Sequence, residues 1–133
     1  MAQSVPAELR YTAEHEWVSI RSRDDAGATV RLGVTDFAQA ALGDVVYVTV
    51  EPLGTGVTPG DTLGEVESTK SVSEVYAPLA GEITAHNSAL ETNPELINRD
   101  PYGQGWLVEL RVTDVSGVDT LLDSTKYGKL ISQ

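Results

Sequence analysis

Hydrophobic and polar residues alternate along this chain in short bursts with a period near two, and helical spacing is confined to a few places. "HEWVSI" (15–20) and "ATVRLGV" (28–34) alternate well enough to predict two half-buried strands, joined by the polar turn "RSRDDAG". "VVYVTV" (45–50) is β-branched and aromatic, the strongest strand signal in the chain. Further strands are predicted near 61–68 and 72–77, another begins at "GEITAH" (81–86), and a last one covers "WLVELRVT" (106–113). "TDFAQAALG" (35–43) reads as a short helix, with Thr35 or Asp36 capping its start and Gly43 suited to the left-handed position after its end. "NPELIN" (93–98) reads as one helical turn with Asn93 as cap and Pro94 at the first helical position. "GVDTLLDSTKYGKLI" (117–131) predicts one or two short helices, with Ser124 as a cap. "EPLGTGVTPGD" and "RDPYGQG" are loops. Many short strands at close spacing predict a mostly β sandwich or barrel.

The layout is that of one domain over residues 1–133, with a core over about 8–114 and a C-terminal helical segment over about 117–131. One internal echo stands out. Gly64-Glu65-Val66 recurs as Gly81-Glu82-Ile83, one copy on each side of Lys70. Together with the flanking strands, it predicts a quasi-symmetric sandwich with Lys70 at the turn relating the halves.

Composition narrows the function. A chain of 133 residues can bury a genuine core, and 41% hydrophobic with 22% charged residues is ordinary for a globular protein. No apolar run is long enough to span a bilayer, and "MAQSVPAELRYT" has neither a signal-peptide nor a transit-peptide layout, so a cytoplasmic home is expected. With no cysteine, disulfides and thiolate metal sites are excluded, and any thiol chemistry must be imported. The net charge of −11 repels nucleic-acid phosphates and anionic membranes. It suits a solvated surface, or steering toward partners with basic docking faces.

Several tempting motifs fail. The glycines of "GTGVTPG" have the wrong spacing for a dinucleotide loop, and no helix opens after them. His15-Glu16 begins like a zinc-protease helix, but Ser19 stands where the second histidine belongs and the segment is strand-like. No serine is marked as activated, so there is no positive case for an enzyme. Lys70 is different. Only Lys126 and Lys129 accompany it in the whole chain, and "STKS" lacks the Asn-Gly or Asp-Gly of a tight hairpin. An amine at the tip of a rigid hairpin, among Glu65, Glu67 and Glu74, is what a modifying enzyme needs.

The stretch "GEVESTKSVSEVYAPLAGEI" (64–83) resembles the lipoyl-lysine hairpin of the glycine cleavage system H-protein family. "YTAEHEWV", "GVTDFAQAALGDVVYV", "INRDPYGQGWL" and "LLDSTKYGKL" resemble further family segments in the family's order, so the likeness covers nearly the whole chain. The resemblance implies a barrel-sandwich hybrid fold of the lipoyl/biotinyl type, with a few short helices and a C-terminal helical tail. It implies a non-catalytic carrier with lipoate joined by an amide to Lys70. Three partners are implied: a glycine decarboxylase (P protein) that loads the aminomethyl group, an aminomethyltransferase (T protein) that takes the methylene to tetrahydrofolate, and a dihydrolipoyl dehydrogenase (L protein) that restores the disulfide. A lipoylating enzyme is a fourth, and by motif position Glu67 and Gly81 are its recognition residues. The loaded arm folds back into a cleft in the family, where Glu16 and Glu74 would hold its amine.

Two positions depart from the family pattern. Glu14 stands where relatives often have a small hydroxyl residue and adds a carboxylate to the cleft; Ala41 stands where some have histidine and is given no role. Other readings have their own marks. A biotinyl domain would flank its lysine with methionine, whereas Thr69 and Ser71 flank Lys70. A lipoyl domain of a 2-oxo acid dehydrogenase usually has an acid just before the lysine. An H-like protein that relays lipoyl groups to other enzymes, and a cofactor-free β binding domain, stay open as alternatives.

Overall fold

The structure is a computed structural model and describes residues 4–132. Two antiparallel sheets face one another, which makes the protein mostly β with a few short helices. The larger sheet contains β1 (Arg10–Tyr11), β2 (Glu16–Asp24), β3 (Gly27–Val34), β5 (Gly56–Val57), β8 (Gly81–His86) and β9 (Val108–Val112), in the spatial order β1-β2-β3-β9-β8-β5. The smaller contains β4 (Val45–Val50), β6 (Thr62–Ser68) and β7 (Val72–Tyr76), in the order β4-β6-β7. Four short helices complete it: α1 (Asp36–Leu42), α2 (Leu96–Arg99), α3 (Ser116–Asp119) and α4 (Ser124–Ile131), with one 3₁₀ turn at Ser88–Glu91.

The core follows from strand alternation. Val30, Leu32, Leu110 and Val112 of the larger sheet and Leu63, Val66 and Val75 of the smaller fill the space between the sheets and are fully or nearly fully buried. On β2 successive side chains point to opposite faces. Val18 enters this core, while Trp17 joins Leu9, Tyr11 and Tyr127 in a second cluster on the far face, under α4. Trp17 donates its indole N–H to the Pro101 carbonyl at 2.9 Å. β2 is therefore buried on both faces near its start, and the chain's last helix closes the second face.

The glycine echo has a physical reading. A Cβ on Gly64 would stand 2.1 Å from the Thr49 carbonyl oxygen, and one on Gly81 would stand 2.6 Å from that of Arg111. Each glycine lets a neighbouring strand approach closely. Each is followed by an exposed acid, Glu65 or Glu82, and then by a wholly buried aliphatic residue, Val66 or Ile83. One copy serves each sheet.

Some boundaries differ from expectation. Asn93 does not cap a helix, because α2 starts only at Leu96, and Asn93 and Pro94 instead form the turn before it through their carbonyls. Asp123, not Ser124, caps α4 by accepting from the Lys126 amide. Thr35, not Asp36, caps α1.

Candidate functional site

The β6–β7 hairpin carries Lys70 at its tip. Ser68 closes the turn: its amide donates to the Ser71 carbonyl at 2.8 Å, and its Oγ accepts from the amides of Lys70 (3.2 Å) and Ser71 (3.1 Å). A short hydroxyl side chain bonding its own turn does the work that Asn-Gly does elsewhere. "STKS" is thus explained by turn geometry after all, through Ser68.

The tip is also fastened to the rest of the protein. The Thr69 amide donates to the Asp44 carbonyl at 3.0 Å, which joins the hairpin to the segment between α1 and β4. Gly43 ends α1 at φ 83°, a left-handed conformation that favours glycine. The stem of Lys70 lies beside it, with Cε 3.3 Å from where a Cβ would stand. Asn98 holds this segment from α2: it donates to the Gly43 carbonyl (2.8 Å) and to Gln39 Oε1 (3.1 Å), and accepts from the Val45 amide (2.9 Å). Lys70 itself is exposed, and no ion pair among the described residues includes it.

Beside the tip runs a hollow of about 310 Å³ between α1 and β7. Val34, Phe37, Leu42, Val72 and Val75 give it apolar walls, Ser71 marks its hairpin end, and Glu14, Glu16 and Glu74 supply carboxylates. The structure thus brings all three predicted cleft acids to one place. A second hollow of about 320 Å³ shares Glu14 and Glu16 and continues past Thr12 and Tyr76.

The three acids differ sharply in environment. Glu16 is only 2% exposed. Its carboxylate accepts from the Tyr76 amide at 2.7 Å and the Thr12 hydroxyl at 2.9 Å, with no basic partner among the described residues. Burial pushes its pKa up to about 7; those two hydrogen bonds oppose the rise, and the charge of Glu14 adds to it. Glu74 is exposed and accepts from the Tyr76 hydroxyl at 3.1 Å. That bond, reinforced by the Glu74 charge, raises the Tyr76 pKa. Glu14 is exposed as well.

His15 also lines this hollow, its ring 4.8 Å from that of Phe37. Its sequence context marks it only as the start of a failed zinc motif; the signal for a place in this hollow is conformational: His15 has φ 70°, unusual for a residue with a side chain. Ala41 lines the same wall.

The remaining predicted residues lie apart from the hollow. Glu67 is exposed on the outer face of the smaller sheet, in register with Tyr47 and Val72, which are 61% and 57% exposed. Gly81 begins β8 in the other sheet, against β9.

Comparison with known proteins gives one consistent answer. The family model described as Glycine cleavage H-protein matches residues 9–133. A glycine cleavage system H protein of Mycobacterium bovis (strain BCG / Pasteur 1173P2) is 54% identical over 129 residues, covering 92% of this chain and 93% of the relative. That of Mycobacterium avium (strain 104) is 54% identical over 127 residues with the same coverage. The crystal structure of a glycine cleavage system H protein from Mycobacterium marinum superposes with a TM-score of 0.85 at 39% identity, covering 97% of this chain and all of that one.

Proposed function

The chain belongs to the glycine cleavage H-protein family, and on that premise we propose that it is a lipoyl carrier with Lys70 as the attachment point. In this role the carrier receives the aminomethyl fragment of glycine from the decarboxylase, presents it to the aminomethyltransferase, and is reoxidised by dihydrolipoyl dehydrogenase. It is a component of a multienzyme system and does not itself catalyse. Residues 1–133 act as one carrier domain, working in the cytoplasm; no described helix is long and apolar enough to cross a membrane.

The observation that carries this reading is an exposed, unpaired lysine on a tip tied down by Ser68 and Asp44, at one end of a hollow with apolar walls and acidic groups. These residues fit the group. A lipoyl group supplies a disulfide that can open to take up a one-carbon fragment and close again on reoxidation. The free amine of Lys70 offers the amide-forming nitrogen, and Val34, Phe37, Leu42, Val72 and Val75 offer an apolar wall along which water is displaced. At the acidic end a cationic cargo meets Glu16, Glu74 and Glu14. Glu16 gains most, because a cation nearby favours its ionised form and offsets the burial that raises its pKa. Glu67 and Gly81 serve recognition by the lipoylating enzyme; the exposure of Glu67 between Tyr47 and Val72 suits such contact.

Intact mass of the chain from lipoate-supplied cells, with peptide mapping, tests the assignment. One lipoyl addition at Lys70 is expected, and none in a well-folded Lys70→Arg variant. An addition elsewhere, or glycine decarboxylation restored by that variant, would overturn it.

A further inference from the structure

Tyr127, from the other end of the chain, lies behind the hollow and bonds to its lining residue His15. The Tyr127 ring is wholly buried and stacks on Tyr11, with centroids 4.7 Å apart and planes 8° from parallel. Its hydroxyl meets two groups: Thr35 Oγ1 at 2.7 Å and His15 Nδ1 at 2.8 Å.

The protons of these three groups can be counted. Thr35 is wholly buried and its Oγ1 accepts from the Ala38 amide as the cap of α1. The structure gives its own proton one acceptor, the Tyr127 oxygen. A buried hydroxyl proton without an acceptor is costly, so Thr35 donates to Tyr127. Tyr127 must then direct its own proton to His15. Nδ1 is therefore an acceptor, and the neutral ring carries its hydrogen on Nε2.

We propose that Tyr127 is a positioning residue for the hollow: through this ordered chain it holds His15 as the neutral Nε2–H tautomer and keeps positive charge off the wall. Among the residues lining the hollow, His15 is the one that could become a cation. Protonating it would turn Nδ1 into a donor toward a Tyr127 oxygen that already receives the Thr35 proton, and one buried hydroxyl proton would lose its acceptor. Burial lowers the His15 pKa in the same direction, partly opposed by Glu14. The other titratable groups around it are Glu16 beside it, Glu74 across the hollow on β7, and Tyr127 on α4.

The backbone fixes where the ring stands. His15 is held at its positive φ by its amide donating to the Thr12 carbonyl (3.1 Å) and its carbonyl accepting from the Thr35 amide (3.0 Å). Strained residues persist where the surroundings over-determine them. The value of an uncharged wall to a cationic cargo rests on the carrier reading above, whereas the tautomer does not.

Nitrogen NMR of the His15 ring in the full, unmodified chain tests the proposal. At neutral pH the wild-type ring should show a bare Nδ1 and a protonated Nε2. Tyr127→Phe keeps the aromatic ring but should give a mixture of tautomers. Thr35→Val should leave the wild-type signature intact, since Tyr127 then still donates to His15; if that variant does not fold, Thr35→Ser must show the same result. A wild-type ring protonated on Nδ1, an unchanged signature in Tyr127→Phe, or a reversed tautomer in the Thr35 variant would overturn it. Failure of lipoylation at Lys70 would leave these spectra untouched, so the two readings can fail separately.

Discussion

Replacing Glu16 with glutamine should make the protein more stable in mild base while leaving it unchanged in mild acid. Glu16 is 2% exposed, has no basic partner among the described residues, and is pushed by burial up to about 7 from the ordinary glutamate value of 4.5. At about 1.4 kcal/mol per pH unit, that rise corresponds to roughly 3 kcal/mol. The sign follows from which state holds the proton more tightly. The folded protein does, so the stabilisation is fully present below pH 4.5 and is lost as pH rises through about 7. Glutamine has the shape of the protonated acid: its Oε1 can accept from the Tyr76 amide while its amide group faces the Thr12 hydroxyl. Urea denaturation of both proteins at a series of pH values should therefore give equal stabilities near pH 4, with the variant ahead by roughly 3 kcal/mol near pH 8. A stability difference independent of pH, or a variant weaker throughout, would refute burial as the cause of the raised pKa.

Three further outcomes follow from the same geometry. Ser68→Ala removes the acceptor for the Lys70 and Ser71 amides; it should cost about 1 kcal/mol and speed hydrogen exchange at those two amides, and unchanged exchange would count against Ser68 as the turn's closure. Asn98→Ala leaves the Gly43 carbonyl and Val45 amide without their partner, and should lower stability in denaturant by about 2 kcal/mol. Gly81→Ala drives a methyl group to within 2.6 Å of the Arg111 carbonyl oxygen and should lower the thermal midpoint by an amount corresponding to about 1–3 kcal/mol. Assaying its lipoylation well below that midpoint separates recognition from folding.

The strands with a face to bury were legible because burial imposes period two, and β3, β4, β6, β7, β8 and β9 lie where alternation or β-branched runs predict them; β2 begins as predicted but runs on to Asp24, four residues into the stretch read as a polar turn, because Ser22, Arg23 and Asp24 pair with β3. β1 and β5 were not. Each is two residues long and exists only because a neighbouring strand offers hydrogen bonds, information that Arg10-Tyr11 and Gly56-Val57 do not carry themselves. Capping was legible at Thr35 but misassigned at Ser124, where Asp123 offers an equally suitable oxygen one position earlier. At the site, motif position named Lys70, Glu14, Glu16 and Glu74, and the last three do line one hollow. What motif position could not convey is that Glu16 is enclosed while Glu14 and Glu74 face water. Nor could it connect His15 with Tyr127, whose separation of 112 residues is closed only when α4 packs under β2.

The fastening of the hairpin tip has a mechanical consequence. With the Thr69 amide anchored on the Asp44 carbonyl and the turn closed by Ser68, the backbone at Lys70 is a fixed pivot. Anything attached to the amine sweeps a sphere whose radius is the length of side chain plus attachment, with no added reach from a moving loop. On the carrier reading, partners must bring their active sites inside that radius, and the contacts of Thr69 and Ser68 set where its centre lies.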